Sequence, residues 1–88
     1  MTKNIFLLGS TGSIGDAALK VLKKDKKNFN IKLLTTNSNV KKIYDQAISL
    51  NVKEIVIFDK KEYYKNYKKF ILKNIKIYSS IKEAFKKK

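Results

Sequence analysis

The sequence predicts an α/β protein in which parallel strands alternate with helices. Two observations predict this class. Short apolar runs typical of buried strands recur along the chain, and each is followed by a segment whose apolar residues repeat at helical spacing. Only short polar connections separate these segments, and no proline-rich or glycine–serine linker divides them. This alternation is typical of a parallel sheet whose strands are joined by right-handed helical crossovers.

The first strand is predicted at residues 4–8, an apolar run that stops at Gly9. The first helix is predicted at residues 13–24. Its apolar residues recur at offsets of 0, 3, 4, 7 and 8, the spacing of an amphipathic helix. The face predicted in this way consists of Ile14, Ala17, Ala18, Val21 and Leu22. Lysines near the end of the helix suit the negative end of its dipole.

The later elements continue the alternation of strand and helix. Their predicted bounds are 31–36, 54–58 and 74–78 for the strands and 40–50 and 61–73 for the helices. Asn37 or Asn39 can cap the helix at 40–50, and Ser79 or Ser80 can cap a short last helix.

All three glycines of the chain lie between the first strand and the first helix, in the string G-S-T-G-S-I-G. A glycine-rich turn from a strand into a helix favours phosphate binding, because the first N–H groups of the helix attract anions. We expect Gly9 to allow the sharp turn, Gly12 to admit a pyrophosphate and Gly15 to let the helix pack closely. Thr11 and Ser13 can add hydroxyl donors and cap the helix. The alternative is a tight turn that binds no ligand.

The loop after the second strand indicates which dinucleotide would bind. In NAD-binding folds an acidic residue there holds the ribose hydroxyls of the cofactor. Residues 35–39 read T-T-N-S-N without a carboxylate, and Lys41 and Lys42 follow. Hydroxyls, amides and ammonium groups would accept a ribose 2′-phosphate that a carboxylate would repel, so the loop favours NADP over NAD. The alternative is a polar helix cap without a ligand.

These segments also resemble one known family. The string L-L-G-S-T-G-S-I-G closely resembles the opening of 1-deoxy-D-xylulose 5-phosphate reductoisomerases, and a looser similarity continues through residues 29–59. The resemblance implies that residues 11–14 contact the phosphates of NADPH and that residues 37–39 form a second cofactor loop. Together with the glycines, the candidate cofactor-binding residues are Gly9, Thr11, Gly12, Ser13, Ile14, Gly15, Asn37, Ser38 and Asn39.

The second loop departs from the family pattern at two positions. Asn39 fits the pattern, but Asn37 stands where glycine is common and Ser38 where a basic residue is common. Lys41 or Lys42 could supply the missing positive charge for the 2′-phosphate.

The resemblance implies a function for a longer protein. Members of the family use NADPH to rearrange and reduce 1-deoxy-D-xylulose 5-phosphate to 2-C-methyl-D-erythritol 4-phosphate in the non-mevalonate isoprenoid pathway. A divalent metal, Mg²⁺ or Mn²⁺, polarises the reacting oxygens, and its ligands lie past residue 88 in the family. The resemblance also implies a small phosphosugar substrate and a homodimer.

We therefore expect residues 1–88 to be the N-terminal part of an NADP-binding, Rossmann-like domain that is truncated in this chain. The catalytic and C-terminal domains would lie outside it. The chain has no histidine or cysteine, and its seven acidic residues are scattered, so we assign no catalytic residue and no metal ligand within it. We expect no activity from these 88 residues alone.

The net charge of +14 comes with 21 lysines and no arginine. Arginine is the usual carrier of base and phosphate recognition, and the lysines are spread along the chain, so we expect no specific nucleic-acid partner. Tyrosines at positions 63, 64 and 67 could form a base-stacking platform, but we expect them to pack in the core and at its rim.

No apolar run approaches ~18 residues and no transit segment is present, so we expect no membrane span and a cytoplasmic location.

Two alternatives remain at this stage. One is a different NADP-dependent reductase, of the aspartate-semialdehyde dehydrogenase or extended short-chain type. The other is a non-catalytic domain that senses nucleotides or binds polyanions. Tighter binding of NADPH than of NADH would favour a reductase, whereas equal and strongly salt-sensitive binding would favour polyanion attraction.

Overall fold

Eight elements alternate along the chain, strand then helix, as the sequence predicts. The computed structural model describes residues 3–86. The elements are β1 (Lys3–Leu7), α1 (Ser13–Lys24), β2 (Phe29–Thr36), α2 (Val40–Leu50), β3 (Glu54–Ile57), α3 (Lys60–Ile71), β4 (Lys76–Tyr78) and α4 (Ile81–Phe85). Each predicted bound lies within two residues of the observed one, so the periodicity of the apolar residues located the elements correctly.

The four strands form one parallel sheet in the order β1-β2-β3-β4. The parallel arrangement is therefore confirmed. Leu34 pairs with Leu7 on one side and with Ile55 on the other, which places β2 between β1 and β3. Among residues 3–86, β1 and β4 are the two edge strands. The carboxyl ends of all four strands point the same way, so the segments that follow them gather at one edge of the sheet.

The main core lies between the sheet and the first three helices. Leu34 and Ile55 from the sheet pack there with Leu19 of α1, Ile43 of α2 and Phe70 of α3, and each is buried. Burying side chains of this size contributes about 1.5–3 kcal/mol apiece. The chain therefore relies on this one layer for most of its hydrophobic stabilisation.

A smaller core covers the opposite face of the sheet. Leu33 and Val56 contact Ala84 of α4 there, with Tyr78 and Ile81 packed around them. Leu33 and Leu34 are neighbours in sequence but belong to different cores, because successive side chains of a strand point to opposite faces. The fourth helix thus lies across the sheet from the other three.

The face of α1 that meets the core differs from the predicted one. Gly15 and Leu19 are the buried residues of this helix, whereas Ile14 is 85% exposed and Val21 is 68% exposed. Gly15 determines this rotation because its Cα faces the main chain of the preceding turn. A Cβ there would overlap the Gly9 carbonyl oxygen and lie 2.8 Å from the Ser10 Cα. The predicted role of Gly15 in close packing is consistent with this contact.

The contact between Gly15 and the turn predicts a large difference between two glycine substitutions. Gly15→Ala should lower the free energy of unfolding by about 3 kcal/mol, at the upper end of the cost of overpacking, because backbone atoms block the new methyl group. Gly12→Ala should cost at most about 1 kcal/mol, as at other N-cap positions. Its Cβ would meet only the Gly9 carbonyl oxygen, at 3.6 Å.

Urea unfolding followed by circular dichroism measures both free energies. Equal stability of the two variants would contradict the packing role of Gly15.

Candidate dinucleotide-binding site

The glycine-rich turn lies at the carboxyl edge of the sheet, between β1 and α1. Gly9 has a φ of 71°, a left-handed conformation that glycine adopts without steric cost. The Gly12 N–H donates to the Gly9 carbonyl oxygen over 3.3 Å, and the Asp16 N–H donates to the Gly12 carbonyl oxygen over 2.8 Å. The chain therefore reverses at Gly9 and enters the helix directly after Gly12. In open α/β sheets this edge is where ligands bind.

The N-terminus of α1 carries no side-chain cap. Gly12 is its N-cap residue, and no side chain bonds to the first turn from that position. The prediction that Thr11 or Ser13 caps the helix is therefore wrong. The N-cap position is occupied by a glycine, and the Thr11 hydroxyl forms a hydrogen bond with the Thr36 hydroxyl of β2 instead. The first-turn N–H groups, which have no acceptor within a helix, stay available to an anion.

The other three helices are capped by side chains. The carboxylate of Asp59 accepts from the Glu62 N–H over 3.0 Å, and the Ser80 hydroxyl accepts from the Glu83 N–H over 3.1 Å. The side-chain oxygen of Asn39 accepts from the Lys42 N–H over 3.3 Å. The sequence offered both Asn37 and Asn39 as candidate caps of α2, and the structure shows that Asn39 is the cap. Of the four described helices, α1 alone leaves its N-terminus without a side-chain cap.

Thr35 holds the turn onto β2. Its hydroxyl accepts a hydrogen bond from the Gly9 N–H over 2.8 Å, and its carbonyl oxygen accepts one from the Ser10 N–H over 2.9 Å. Thr35 and Ser10 are both buried. These two bonds hold Gly9 and its neighbour against the strand.

Thr36 joins the turn to the loop at residues 37–39. Its hydroxyl oxygen lies 2.6 Å from the Thr11 hydroxyl oxygen and accepts from the Asn39 N–H over 3.3 Å. On the far side of the loop, the Asp59 N–H donates to the Asn37 carbonyl oxygen over 2.8 Å. The loop is therefore held between the glycine-rich turn and the end of β3.

One acidic side chain lies in the first turn of α1, where it opposes an incoming anion. The second carboxylate oxygen of Asp16, Oδ2, is 3.8 Å from the Lys20 ammonium and 3.7 Å from the Lys42 ammonium. These pairs are partly exposed, so each adds at most about 1 kcal/mol to stability. Their main effect is to offset the negative charge beside the turn.

The structure brings the predicted site residues into two adjoining groups. The turn holds Gly9, Thr11, Gly12, Ser13 and Ile14, and the neighbouring loop holds Asn37, Ser38 and Asn39, with Gly15 buried beneath the turn. Gly12, Ser13, Ile14 and the three loop residues are exposed, so a ligand can reach them. The assignment of the nine residues to a cofactor remains a prediction.

Two residues that support the site, Thr36 and Gln46, are not among those predicted from the sequence. Thr36 was noted only as part of a polar loop, although it is buried and connects both groups. Gln46 was read only as part of α2, yet its side chain reaches the turn and bonds to Ser10. The pair of threonines at the end of the predicted second strand was the one sequence signal for Thr36, and nothing in the helical pattern indicated the role of Gln46.

Across residues 3–86, no three side chains of the acidic, histidine or cysteine type come together as metal ligands would. Burial raises the pKa of the Tyr63 and Tyr78 hydroxyls above the ordinary tyrosine value, so both stay protonated at neutral pH.

Among the helices of this part of the chain, none has the length and apolar character needed to cross a membrane.

Residues 5–86 match the model of the 1-deoxy-D-xylulose 5-phosphate reductoisomerase family. The reductoisomerase of Pelagibacter ubique is 45% identical over 75 residues, which cover 85% of this chain and 19% of that protein. The apicoplastic reductoisomerase of Plasmodium falciparum is 38% identical over 81 residues, covering 89% of this chain and 16% of its own length. The chain thus spans about a fifth of the relatives that it matches.

Solved structures of reductoisomerases share the fold. One from Zymomonas mobilis in complex with NADPH has a TM-score of 0.81 and 28% identity, over 89% of this chain and 21% of that one. Another, in complex with NADPH, fosmidomycin and magnesium, has a TM-score of 0.82 and 25% identity, over 92% and 20%. The Rossmann-like arrangement predicted from the sequence is therefore confirmed.

The position of Thr36 predicts that its hydroxyl stabilises both segments of the site. Thr36→Val keeps the shape of the side chain but leaves the Thr11 hydroxyl and the Asn39 N–H without this partner. We expect a loss of about 1–2 kcal/mol in the free energy of unfolding and faster hydrogen exchange at the Asn39 amide.

Urea unfolding and amide exchange by NMR measure these two effects. Ser38→Ala, which removes an exposed hydroxyl from the same loop, is the control and should change stability by less than about 0.5 kcal/mol. A Thr36→Val chain as stable as this control would contradict the bridging role.

Proposed function

The chain belongs to the 1-deoxy-D-xylulose 5-phosphate reductoisomerase family, and we propose that it is the N-terminal part of the domain with which such an enzyme binds NADPH. The observation that carries this proposal is the uncapped N-terminus of α1 behind the turn at Gly9–Gly12. Membership in this family argues against the alternative of an aspartate-semialdehyde dehydrogenase or an extended short-chain reductase.

The turn suits the pyrophosphate of the cofactor. The N–H groups of residues 13–15 begin the helix, where the dipole favours negative charge. The Cα of Gly12 is exposed and open, since a side chain there would touch only the Gly9 carbonyl oxygen. We assign phosphate contacts to Thr11, Gly12, Ser13 and Ile14. Gly9 and Gly15 act by shaping the turn.

The loop at residues 37–39 suits the 2′-phosphate that distinguishes NADPH from NADH. Asn37, Ser38 and Asn39 are exposed beside the turn, and the loop carries no carboxylate. Because the side-chain oxygen of Asn39 caps α2, its amide N–H₂ is the part left to donate. Lys41 is exposed at the start of α2 and adds positive charge. Two solved relatives are described as NADPH complexes, which supports the same cofactor here.

The rest of the reaction belongs to residues outside this chain. We propose that the whole protein rearranges the carbon skeleton of 1-deoxy-D-xylulose 5-phosphate and reduces the resulting aldehyde with NADPH. Magnesium in a solved relative supports a divalent metal that polarises the reacting oxygens. The described residues bind and orient the cofactor, and we assign none of them to catalysis or to the metal.

The same proposal includes a homodimer and a cytoplasmic location for the whole protein. The relative from Plasmodium falciparum is named as apicoplastic, so membership in the family does not by itself determine the compartment.

The loop at residues 37–39 predicts that the chain prefers a ligand with a ribose 2′-phosphate over a ligand with the phosphate at the 3′ position. Adenosine 2′,5′-bisphosphate and adenosine 3′,5′-bisphosphate carry the same charge, so general attraction to this basic chain cannot separate them. We expect the 2′ isomer to bind about tenfold more tightly, as measured by isothermal titration calorimetry at moderate salt. Asn37→Asp should abolish the preference, because its carboxylate would repel the 2′-phosphate.

Asn51→Asp, which adds the same charge at the other end of α2, is the control and should leave the preference intact. Equal, strongly salt-sensitive binding of the two isomers by the unaltered chain would favour simple polyanion attraction.

The open position at Gly12 predicts a direct steric test of the pyrophosphate site. Gly12→Val should leave the circular dichroism spectrum unchanged but weaken NADPH binding at least about tenfold, because a branched side chain would occupy the place of the phosphate. Fluorescence titration with NADPH measures the affinity. An unchanged affinity in the folded variant would show that the phosphate is placed wrongly.

A further inference from the structure

We propose that Gln46 is a positioning residue that holds the glycine-rich turn in the shape that binds NADPH. The proposal rests on the function proposed above, since this turn is the one assigned to the pyrophosphate. Gln46 lies on α2, 36 residues away from the turn in sequence, and it would not itself touch the cofactor.

The side-chain amide of Gln46 forms two hydrogen bonds with Ser10. Its Oε1 accepts a hydrogen bond from the Ser10 hydroxyl over 2.8 Å, and its Nε2 donates to the Ser10 carbonyl oxygen over 2.9 Å. Ser10 is completely buried, and its N–H donates to the Thr35 carbonyl oxygen. The main chain of Ser10 is therefore held by β2 at its nitrogen and by α2 at its carbonyl.

Fixing the Ser10 carbonyl also fixes the next N–H group. In a planar trans peptide the carbonyl of one residue and the N–H of the next point in opposite directions. Because the Ser10 carbonyl points at Gln46, the Thr11 N–H points away from α2. Without Gln46 this peptide could rotate, and the donors of the turn would no longer be arranged in advance for a phosphate.

Gln46 also contacts the carboxylate of Asp16, the acidic side chain beside the turn. Its Nε2 lies 3.4 Å from Oδ1 of Asp16, whose other carboxylate oxygen pairs with Lys20 and Lys42. This contact and the pairing with Lys42 hold the carboxylate toward α2. A neutral amide can accept from the Ser10 hydroxyl and donate to both neighbouring oxygens, which neither an apolar residue nor a carboxylate can do.

The inward positions of α2 show that packing alone does not require an amide at position 46. Ile43 and Ala47 on the same helix are buried and apolar. A methionine at position 46 would fill similar space and favour the helix about equally. A half-buried amide is stabilising only when its hydrogen bonds are made, and here both of its polar atoms find partners in or beside the turn.

The first test measures the turn directly, without a ligand. Gln46→Met should speed hydrogen exchange at the Gly9 and Ser10 amides at least about tenfold, while the amides of Ile55 and Ile57 in β3 exchange as before. Ser49→Ala is the matched control, since Ser49 lines the same groove between α1 and α2 but bonds to Lys23. Exchange of Gly9 and Ser10 within twofold of the unaltered chain would overturn the proposal.

The second test measures NADPH binding at a temperature where circular dichroism shows every variant folded. Gln46→Met should weaken binding about tenfold, and Ser49→Ala should not change it. If the unaltered chain does not bind NADPH, the proposed function fails, and the exchange data still decide whether Gln46 holds the turn. If the chain binds NADPH and Gln46→Met binds equally well, the positioning role fails and the proposed function stands.

A second variant covers the case in which Gln46→Met does not fold. Gln46→Glu keeps the shape of the side chain but places a carboxylate against the Ser10 carbonyl and Asp16. Ser49→Glu adds the same charge further along α2 and separates the positional effect from the general electrostatic one. We expect Gln46→Glu to weaken NADPH binding at least about tenfold more than Ser49→Glu does. Equal affinities of these two variants would overturn the proposal.

Discussion

The close approach of Gly15 to the Gly9 carbonyl is the constraint on which the rest of the site depends. It is possible only because Gly15 carries no Cβ, and the turn before it depends on the left-handed conformation of Gly9. The contact sets the rotation of α1, so that Leu19 enters the core while Ile14 and the first-turn N–H groups face outward. One steric condition thus determines both the packing of the helix and the exposure of its N-terminus.

The second strand connects the turn to the other parts of the candidate site. Thr35 holds the turn, Thr36 joins the turn to the loop at residues 37–39, and Gln46 reaches back from α2 to Ser10. Partly buried hydrogen bonds of this kind are costly to leave unmade, so the turn and the loop keep one relative arrangement. The two regions assigned to the pyrophosphate and the 2′-phosphate are therefore arranged before any ligand arrives, which lowers the entropy cost of binding.

The sequence was sufficient to predict the order of elements, the parallel sheet and the family, and it narrowed the cap of α2 to Asn37 or Asn39. These follow from periodicity, from local capping chemistry and from a short glycine-rich string. It was not sufficient for the buried face of α1, because apolar periodicity cannot register a backbone contact made by a residue without a side chain. It also assigned the Thr11 hydroxyl to a helix cap, whereas that hydroxyl meets Thr36 of a strand 25 residues away. This contact and the contact of Gln46 with Ser10 join residues that are far apart in the sequence. The periodicity of apolar residues therefore does not indicate them.

The position of β1 has a consequence for the isolated chain in solution. Within residues 3–86 this strand lies at the edge of the sheet, and Leu8 directly after it is 64% exposed. An open edge can template a strand from a second molecule, which is a common route to aggregation. The net charge of +14 opposes such encounters by mutual repulsion, and salt screens that repulsion. Ionic strength therefore sets how strongly molecules of this chain repel one another, and concentrated salt weakens this protection of the exposed edge.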